Sequence, residues 1–168
     1  PAFLQSIFRG QAQKQLKLSL LAESPGFEII DGKARGPLEK IINDKDLKHF
    51  SLLGGQGHFM DNATKNWMQS RLFEQLRLGE LRSSIQSAEP LIRDADLVAV
   101  QLNLLKQIEA PAQRPSSPSG LFSEEACQLM RYAGMSDKIR SIGFFGFNPE
   151  YDDQGQSASV MAQLIWYF

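Results

Sequence analysis

The segment ADLVAVQLNLLKQIEAPAQ, Ala95–Gln113, decides the fold because it predicts a central strand with a polar exit. Its apolar run Val98–Val100 is typical of a strand that is buried on both faces of a parallel sheet. Gln101 and Asn103 follow two residues apart, so an extended chain would project both amides from one face. At the carboxyl end of such a strand, an α/β enzyme would carry metal-binding carboxylates. The two side chains at this place are amides instead.

Outward from this segment, strand-like and helix-like stretches alternate along the chain. Apolar runs bounded by turn residues predict strands within Leu16–Gly26, His49–Gly57, Leu97–Leu102 and Ile139–Phe147. Helical spacing of apolar residues predicts helices before Gly10, within Gly36–Asp44, from Asn62 to about Leu78, across Leu81–Ala95 with a break near Pro90, at Ser123–Gly134 and at Ser157–Phe168. Pro37 is expected at the first position of its helix and Ser123 at the N-cap of another. The alternation favours a three-layer α/β/α fold with a mainly parallel sheet.

Composition limits the classes of function. The chain has 168 residues, enough for one domain with a substantial core, and a net charge of −1 without a dense basic block, which argues against nucleic-acid binding. No apolar run reaches the roughly 18 residues of a membrane span. A single cysteine, Cys127, suits a reducing compartment, so we expect a cytoplasmic protein. The chain starts without Met and stops inside a helical pattern, so we expect a fragment or an incompletely represented domain.

Three segments resemble the C-terminal half of the arginase/ureohydrolase superfamily, in particular its formimidoylglutamase-like members. They are DADLVAVQLNLLKQIEAPA, PSGLFSEEACQLMRYAG and IGFFGFNPEYD. In that family a strand with an Asp-x-Asp pair runs into a loop ending in Pro, a Gly-Gly-Leu-type turn and a helix follow, and a later strand ends in Glu-x-Asn-Pro. The residues that fall on this pattern are Pro111, Gly120, Leu121, Asn148 and Pro149. The resemblance implies one arginase-like domain over residues 1–168, forming the C-terminal portion of the family fold.

The resemblance also implies a chemistry. In the family two Mn²⁺ ions activate a water that attacks a guanidinium or formimidoyl carbon, and carboxylates and imidazoles neutralise and hold the two cations. The two aspartates of the family's strand fall on Gln101 and Asn103, and the glutamate before Asn-Pro falls on Gly146. An amide has no charge and glycine has no side chain. The substitutions therefore predict a site that has lost its metals.

An earlier family motif, Asp-Ala-His-x-Asp, falls on Ala22–Gly26, where the sequence reads AESPG. Ala22 and Ser24 then take the places of an aspartate and a histidine. Glu23 is the one oxygen donor of the motif, and strand alternation predicts that it points away from the site. The family's Gly-Gly-x-His loop has no counterpart before Leu16.

The remaining candidates have simpler interpretations. GGQGHF, Gly54–Phe59, could be a ligand-binding loop, but it lacks the Lys-Ser/Thr of a phosphate loop, so we predict a strand-to-helix turn. His58 would then be a turn residue, and His49 a solvated one. Cys127 is predicted to be a packed core residue. Acidic pairs at 124–125 and 152–153 are predicted to belong to a helix start and a polar turn.

The sequence therefore predicts a degenerate ureohydrolase-like domain that needs no cofactor and serves as a structural or protein-interaction subunit. Its partner would be another protein or a second copy, bound at the loop Ala110–Gly120 or at the aromatic end Trp166–Phe168. One alternative is an active, Mn²⁺-dependent C–N hydrolase of a guanidino or formimidoyl substrate, with ligands outside this chain. A second is a vestigial pocket for a small neutral or cationic ligand, lined by Gln101 and Asn103.

Overall fold

A computed structural model describes residues 2–10, 15–114 and 117–168. Within these ranges the strands are β1 (Leu16–Leu21), β2 (Glu28–Ile30), β3 (Lys33–Arg35), β4 (Leu47–Gly55), β5 (Glu74–Arg77), β6 (Leu97–Gln101) and β7 (Ser141–Phe145). The α-helices are α1 (Ala2–Gly10), α2 (Glu39–Ile42), α3 (Asn62–Ser70), α4 (Leu78–Ser83), α5 (Glu89–Arg93), α6 (Ser123–Gly134) and α7 (Gln156–Tyr167). Among the helices of this described part, none is long and apolar enough to cross a membrane.

Five strands form one parallel sheet in the order β5-β4-β1-β6-β7. The central strand β1 places Leu20 beside Leu52 of β4 and Ala99 of β6. Because the strands are parallel, their carboxyl ends meet on one side of the sheet, which we call the carboxyl edge. The predicted parallel sheet and its strands at Leu97–Leu102 and Ile139–Phe147 are confirmed.

Helices cover both faces of the sheet, so the predicted three-layer architecture is confirmed. Side chains alternate between the faces along β6: Val98 and Val100 join the apolar cluster under α4 to α7, whereas Leu97 and Ala99 join the cluster under α1 to α3. All four are almost completely buried. Burial on both faces explains why the strand reads as a continuous apolar run.

The helix predicted from Asn62 to Leu78 is wrong in its second half. Helix α3 ends at Ser70, and Leu72 adopts a left-handed φ of 55° with 82% of its surface exposed. The chain then turns, with the Phe73 N–H donating to the Met68 carbonyl at 2.9 Å, and continues as β5. Pairing of Leu76 with Leu53 of β4 provides this strand with backbone partners. Tertiary hydrogen bonding therefore overrides the helical periodicity.

Three helix boundaries also differ from the predictions. The break in Leu81–Ala95 lies at Ser84, while Pro90 sits in the first turn of α5, where a missing N–H costs nothing. Pro37 precedes α2 rather than starting it. Ser123 is the first helical residue of α6, not its cap.

A short hairpin, β2–β3, was not predicted. Asp31 and Gly32 form its turn with φ of 51° and 72°. Asp-Gly is the sequence typical of a two-residue hairpin turn, because both positions need positive φ. The signal was therefore present in the sequence.

Candidate functional site

The carboxyl edge is built by the chain segments that leave β1, β4 and β6. The Ala22 N–H donates to the Leu53 carbonyl at 3.0 Å, and the Gln56 N–H donates to the Glu23 carbonyl at 2.8 Å. The first bond continues the pairing of β1 with β4 past the end of β1, and the second continues it past the ends of both strands. After β6, the chain enters a 3₁₀ turn at Leu102–Leu104. The edge is thus held together by backbone hydrogen bonds before any side chain contributes.

Glu23 and Asn103 meet at this edge. Nδ2 of Asn103 donates to Oε1 of Glu23 at 3.0 Å, and only 5% of Glu23 is exposed. The prediction that Glu23 points away from the site is wrong. Strand alternation does not apply here, because β1 ends at Leu21 and Asn103 lies in a 3₁₀ turn.

The two amides of the opening segment have different surroundings. Gln101 is the last residue of β6, aligned with Phe145 of β7, and its side chain makes no hydrogen bond within the described residues. Asn103 lies beyond the strand and binds Glu23. The expectation that they project side by side from one strand is therefore wrong.

The other predicted positions contribute no charged group to the edge. Ala22 is completely buried in the apolar cluster under α1 to α3. Ser24 lines a separate surface cavity beside the β2–β3 hairpin, together with Arg35 and Phe59. Gly146 adopts a φ of +85°, a conformation that strains residues with a side chain. A glutamate at this position would be disfavoured by the backbone.

Burial is the largest influence on the pKa of the Glu23 carboxyl group. Loss of water raises the pKa of its carboxyl group above the ordinary value of 4.5, while Ser117, Asn103 and the charge of His58 act in the opposite direction. Oε2 of Glu23 and Oδ1 of Asn103 are buried without a hydrogen-bond partner among the described residues. The pair therefore has two unsatisfied acceptor atoms.

The donor set does not suit two Mn²⁺ ions. Glu23 is accompanied at this edge by the neutral side chains of Asn103, Gln101 and Gln56, and two divalent cations need several carboxylates to offset their repulsion. Within residues 2–10, 15–114 and 117–168, no cluster of three or more His, Cys, Asp or Glu side chains could hold a metal. We therefore derive no chemistry through a metal at this edge.

The GGQGHF segment leads from the last residues of β4, Gly54 and Gly55, through a 3₁₀ turn at Gly57–Phe59 toward α3, which agrees with the predicted strand-to-helix turn. Two of its residues have roles that sequence reasoning missed. Gln56 is buried, and its Nε2 donates to the Ser119 carbonyl at 3.2 Å, which ties β4 to the loop before α6. Gly54 has a φ of +89° and lies against Leu104. His58 is exposed and its ring contacts Phe59 in a tilted arrangement with ring centroids 4.2 Å apart.

A second polar cavity lies at the opposite, amino-terminal edge of the sheet. His49, expected to be merely solvated, lines it and bonds Glu74 through Nε2 at 2.9 Å. The buried hydroxyls of Ser19 and Ser51 lie 2.7 Å apart on its floor. Ser19 donates to the Leu91 carbonyl, so this hydroxyl pair serves to attach α5 to the sheet.

Most of the described part of the loop Ala110–Gly120 is packed. Gln113 is buried, and its Nε2 donates to the carbonyls of Leu105 at 3.2 Å and Ala110 at 2.8 Å. Gly120 has no room for a side chain, because a Cβ there would lie 2.6 Å from the Leu105 backbone. The loop is therefore a poor match to the exposed contact surface expected from its composition.

One residue of each acidic pair, Glu125 and Asp152, has a structural role, and so has the cysteine. Glu125 accepts a hydrogen bond from the Phe122 N–H at 2.8 Å, and Asp152 accepts from the Ser157 N–H at 2.8 Å, so each carboxylate caps a helix. Cys127 is buried and free, and burial raises the pKa of its thiol.

Known structures share this fold. The chain aligns with formiminoglutamase from Trypanosoma cruzi with two Mn²⁺ ions (TM-score 0.80, 15% identity, 97% of this chain and 58% of that chain). It aligns with formimidoylglutamase from Bacillus subtilis (TM-score 0.81, 14% identity, 96% and 55%) and with arginase from Bacillus caldovelox (TM-score 0.74, 18% identity, 93% and 61%). No protein-family model and no curated protein sequence matches it.

The chain spans somewhat more than half the length of the solved structures that it matches. At these identities the likeness concerns the fold and not the chemistry. It agrees with the resemblance carried by the three sequence segments around β6, α6 and β7. The chain therefore has the α/β fold of the arginase and formimidoylglutamase structures.

Proposed function

We propose that the chain forms a single arginase-like domain over residues 1–168 that has lost its dimanganese site and acts as a structural or protein-interaction subunit in the cytoplasm. The observation that carries the proposal is the contact between Asn103 and Glu23. The buried carboxylate of Glu23 accepts a hydrogen bond from the Asn103 amide. Asn103 lies just after β6, at a position where the family resemblance would place an aspartate. The sites on Ala22, Ser24, Gln101 and Gly146 offer neither a carboxylate nor an imidazole.

The surface best suited to a partner is the end of α7. Ile165, Trp166, Tyr167 and Phe168 are exposed, with 79% of Trp166 and 56% of Ile165 open to solvent. Val160 and Leu164 are the apolar residues of α7 that are buried against the sheet, with Met161 partly buried beside them. Exposed aromatic residues grouped in this way are typical of protein interfaces.

Metal content and activity test the first half of the proposal. Full-length protein purified without chelators should carry far less than one Mn²⁺ per chain, and it should not hydrolyse arginine, agmatine or formimidoylglutamate. Replacing Asp by a neutral amide removes one charge per ligand, which weakens the binding of a divalent cation. About two Mn²⁺ ions per chain together with turnover of one of these substrates would contradict the proposal.

A matched pair of variants tests the second half. Ile165→Ala on α7 and Ile30→Ala on β2 each remove an exposed isoleucine, of which 56% and 51% of the surface is open to solvent. Light scattering of the native protein first establishes the mass of its self-associated form or of its complex with a partner. Ile165→Ala and Trp166→Ala should then weaken that complex. Ile30→Ala should leave it unchanged. Equal affinities for all three variants would exclude the α7 end as the contact surface.

The alternative function is an active, metal-dependent hydrolase of a guanidino or formimidoyl substrate. It is favoured by one observation: the chain matches 55% of the B. subtilis formimidoylglutamase and 61% of the B. caldovelox arginase, so the ligands of such a site could lie outside this chain. The vestigial-pocket alternative is tested by thermal shift with guanidino and amidine compounds. A shift of several degrees that Gln101→Ala abolishes would support it and argue against a purely structural role.

A further inference from the structure

The pair formed by Glu23 and Asn103 has one hydrogen bond and two further buried oxygens. Nδ2 of Asn103 donates to Oε1 of Glu23 at 3.0 Å. The remaining oxygens of the two groups, Oε2 of Glu23 and Oδ1 of Asn103, are both buried and lack partners among the described residues. The Ser117 hydroxyl lies near enough to lower the pKa of Glu23 by hydrogen bonding, but it makes no hydrogen bond of good geometry to Oε2. Two buried acceptors without a well-placed donor are costly, because each has lost its water.

A single proton would satisfy both atoms. A carboxylic acid has one donor and one acceptor, and a primary amide has the same pair, so the two groups can join through two parallel hydrogen bonds. We propose that Glu23 is protonated on Oε2 and donates to Oδ1 of Asn103 while Nδ2 donates to Oε1, so that the pair is a proton-binding site at the carboxyl edge. The proton comes from solvent, and no covalent bond other than O–H forms or breaks.

The surroundings favour the neutral form. Glu23 is 5% exposed, and a buried carboxylate without a cation is disfavoured. Burial is the largest influence on the carboxyl group and raises its pKa. Among the described residues, the side chains that act on it are Asn103 from the turn after β6, Ser117 from the loop and His58 from the turn after β4. His58 is exposed, so water screens the effect of its charge on Glu23.

The pair links two parts of the chain that are 80 residues apart, the exit of β1 and the turn after β6. The proposal rests on the proposed absence of a dimanganese site, because a cation at this edge would compete with the proton. In place of metal ions, the edge would be closed by a neutral acid–amide pair whose strength depends on pH.

Carbon-13 NMR of the glutamate carboxyl groups tests the proposal on the wild-type protein. The Glu23 resonance should titrate with a midpoint above the ordinary value of 4.5. Glu23→Gln identifies the resonance by its loss. A Glu23 midpoint at or below 4.5 would overturn the acid–amide pair.

Stability against pH provides a second readout. The raised folded-state pKa makes the contribution of Glu23 largest below the unfolded pKa, and that contribution is lost as pH rises through the folded pKa. Glu23→Gln places an N–H where the acid has its O–H, so its stability should not show this loss and should exceed that of wild type at alkaline pH. The matched control Glu28→Gln, at an exposed position on β2, should follow wild type. Equal pH profiles for wild type and Glu23→Gln would contradict the proposal.

Added Mn²⁺ distinguishes a failure of the proposed metal-free function from a failure of the acid–amide pair alone. Paramagnetic broadening of the Glu23 resonance at low Mn²⁺ concentration would overturn both the metal-free function and the acid–amide pair. A low midpoint without any effect of Mn²⁺ would overturn the pair alone and leave the metal-free function standing.

Discussion

Gly54, near the end of β4, lies directly against Leu104 in the turn after β6: a Cβ placed on Gly54 would be 2.4 Å from Cδ1 of Leu104. Gly54 also has a φ of +89°. This close approach lets two strand exits meet at the carboxyl edge, where Glu23 and Asn103 form their contact.

Gly54→Ala should therefore destabilise the protein by about 2–4 kcal/mol, through overpacking against Leu104 and the strain of a left-handed residue with a side chain. Urea unfolding measures the change. Gly79→Ala is the control, because a Cβ at Gly79 meets no atom within 4 Å. It should be neutral or slightly stabilising, and a similar loss in both variants would show that the contact with Leu104 is not the cause.

Ser157 secures the loop before α6 to α7. Its completely buried Oγ accepts a hydrogen bond from the Ala112 N–H at 2.8 Å. Ser157→Ala would leave that buried N–H without a partner, at a cost of about 1–3 kcal/mol in the free energy of unfolding. Ser159→Ala, at an exposed position of the same helix, should change stability by less than about 0.5 kcal/mol. Equal effects would contradict the role given to Ser157.

Asp94 forms ion pairs with Lys17 and Lys138, and these two lysines lower the pKa of its carboxyl group to about 2. A depressed folded-state pKa means that the contribution to stability is present above the unfolded value of 3.8 and is lost as pH falls toward 2. Because 44% of the Asp94 side chain is exposed, Asp94→Asn should cost only about 0.2–1 kcal/mol at neutral pH.

The difference between wild type and Asp94→Asn should shrink in high salt and be lost as pH falls through about 2. Chemical unfolding at a series of pH values measures it. A difference that stays constant from pH 7 to pH 2 would show that Asp94 acts through packing rather than charge.

Cys127 should be unreactive in the folded protein. It is buried in the apolar cluster under α4 to α7, and burial raises the pKa of its thiol, which lowers the fraction of reactive thiolate. A thiol reagent at pH 8 should modify it only at the rate at which the protein opens, and rapidly in urea. Rapid modification without denaturant would contradict the interpretation of Cys127 as a core residue.

The main strands of the sheet could be predicted from the sequence, because a strand that is covered on both faces has a continuous apolar sequence. The run at Val98–Val100 is apolar on both faces, and both faces are covered. Helix α6 was also predictable, because its apolar spacing and its stop at Gly134 are local features. The absence of carboxylates at Ala22, Ser24, Gln101, Asn103 and Gly146 is a property of the sequence itself.

The tertiary structure decided the features that local sequence patterns do not specify. The segment after Ser70 has helical periodicity, yet it forms β5 because the edge of β4 offers backbone partners. Strand alternation predicted that Glu23 turns away, whereas the end of β1 and the 3₁₀ turn after β6 direct it to Asn103. Sequence alone thus determined which chemical groups the predicted positions carry. Only the fold decided which of them touch, because contacts between residues 80 positions apart depend on strand order and register and not on local spacing.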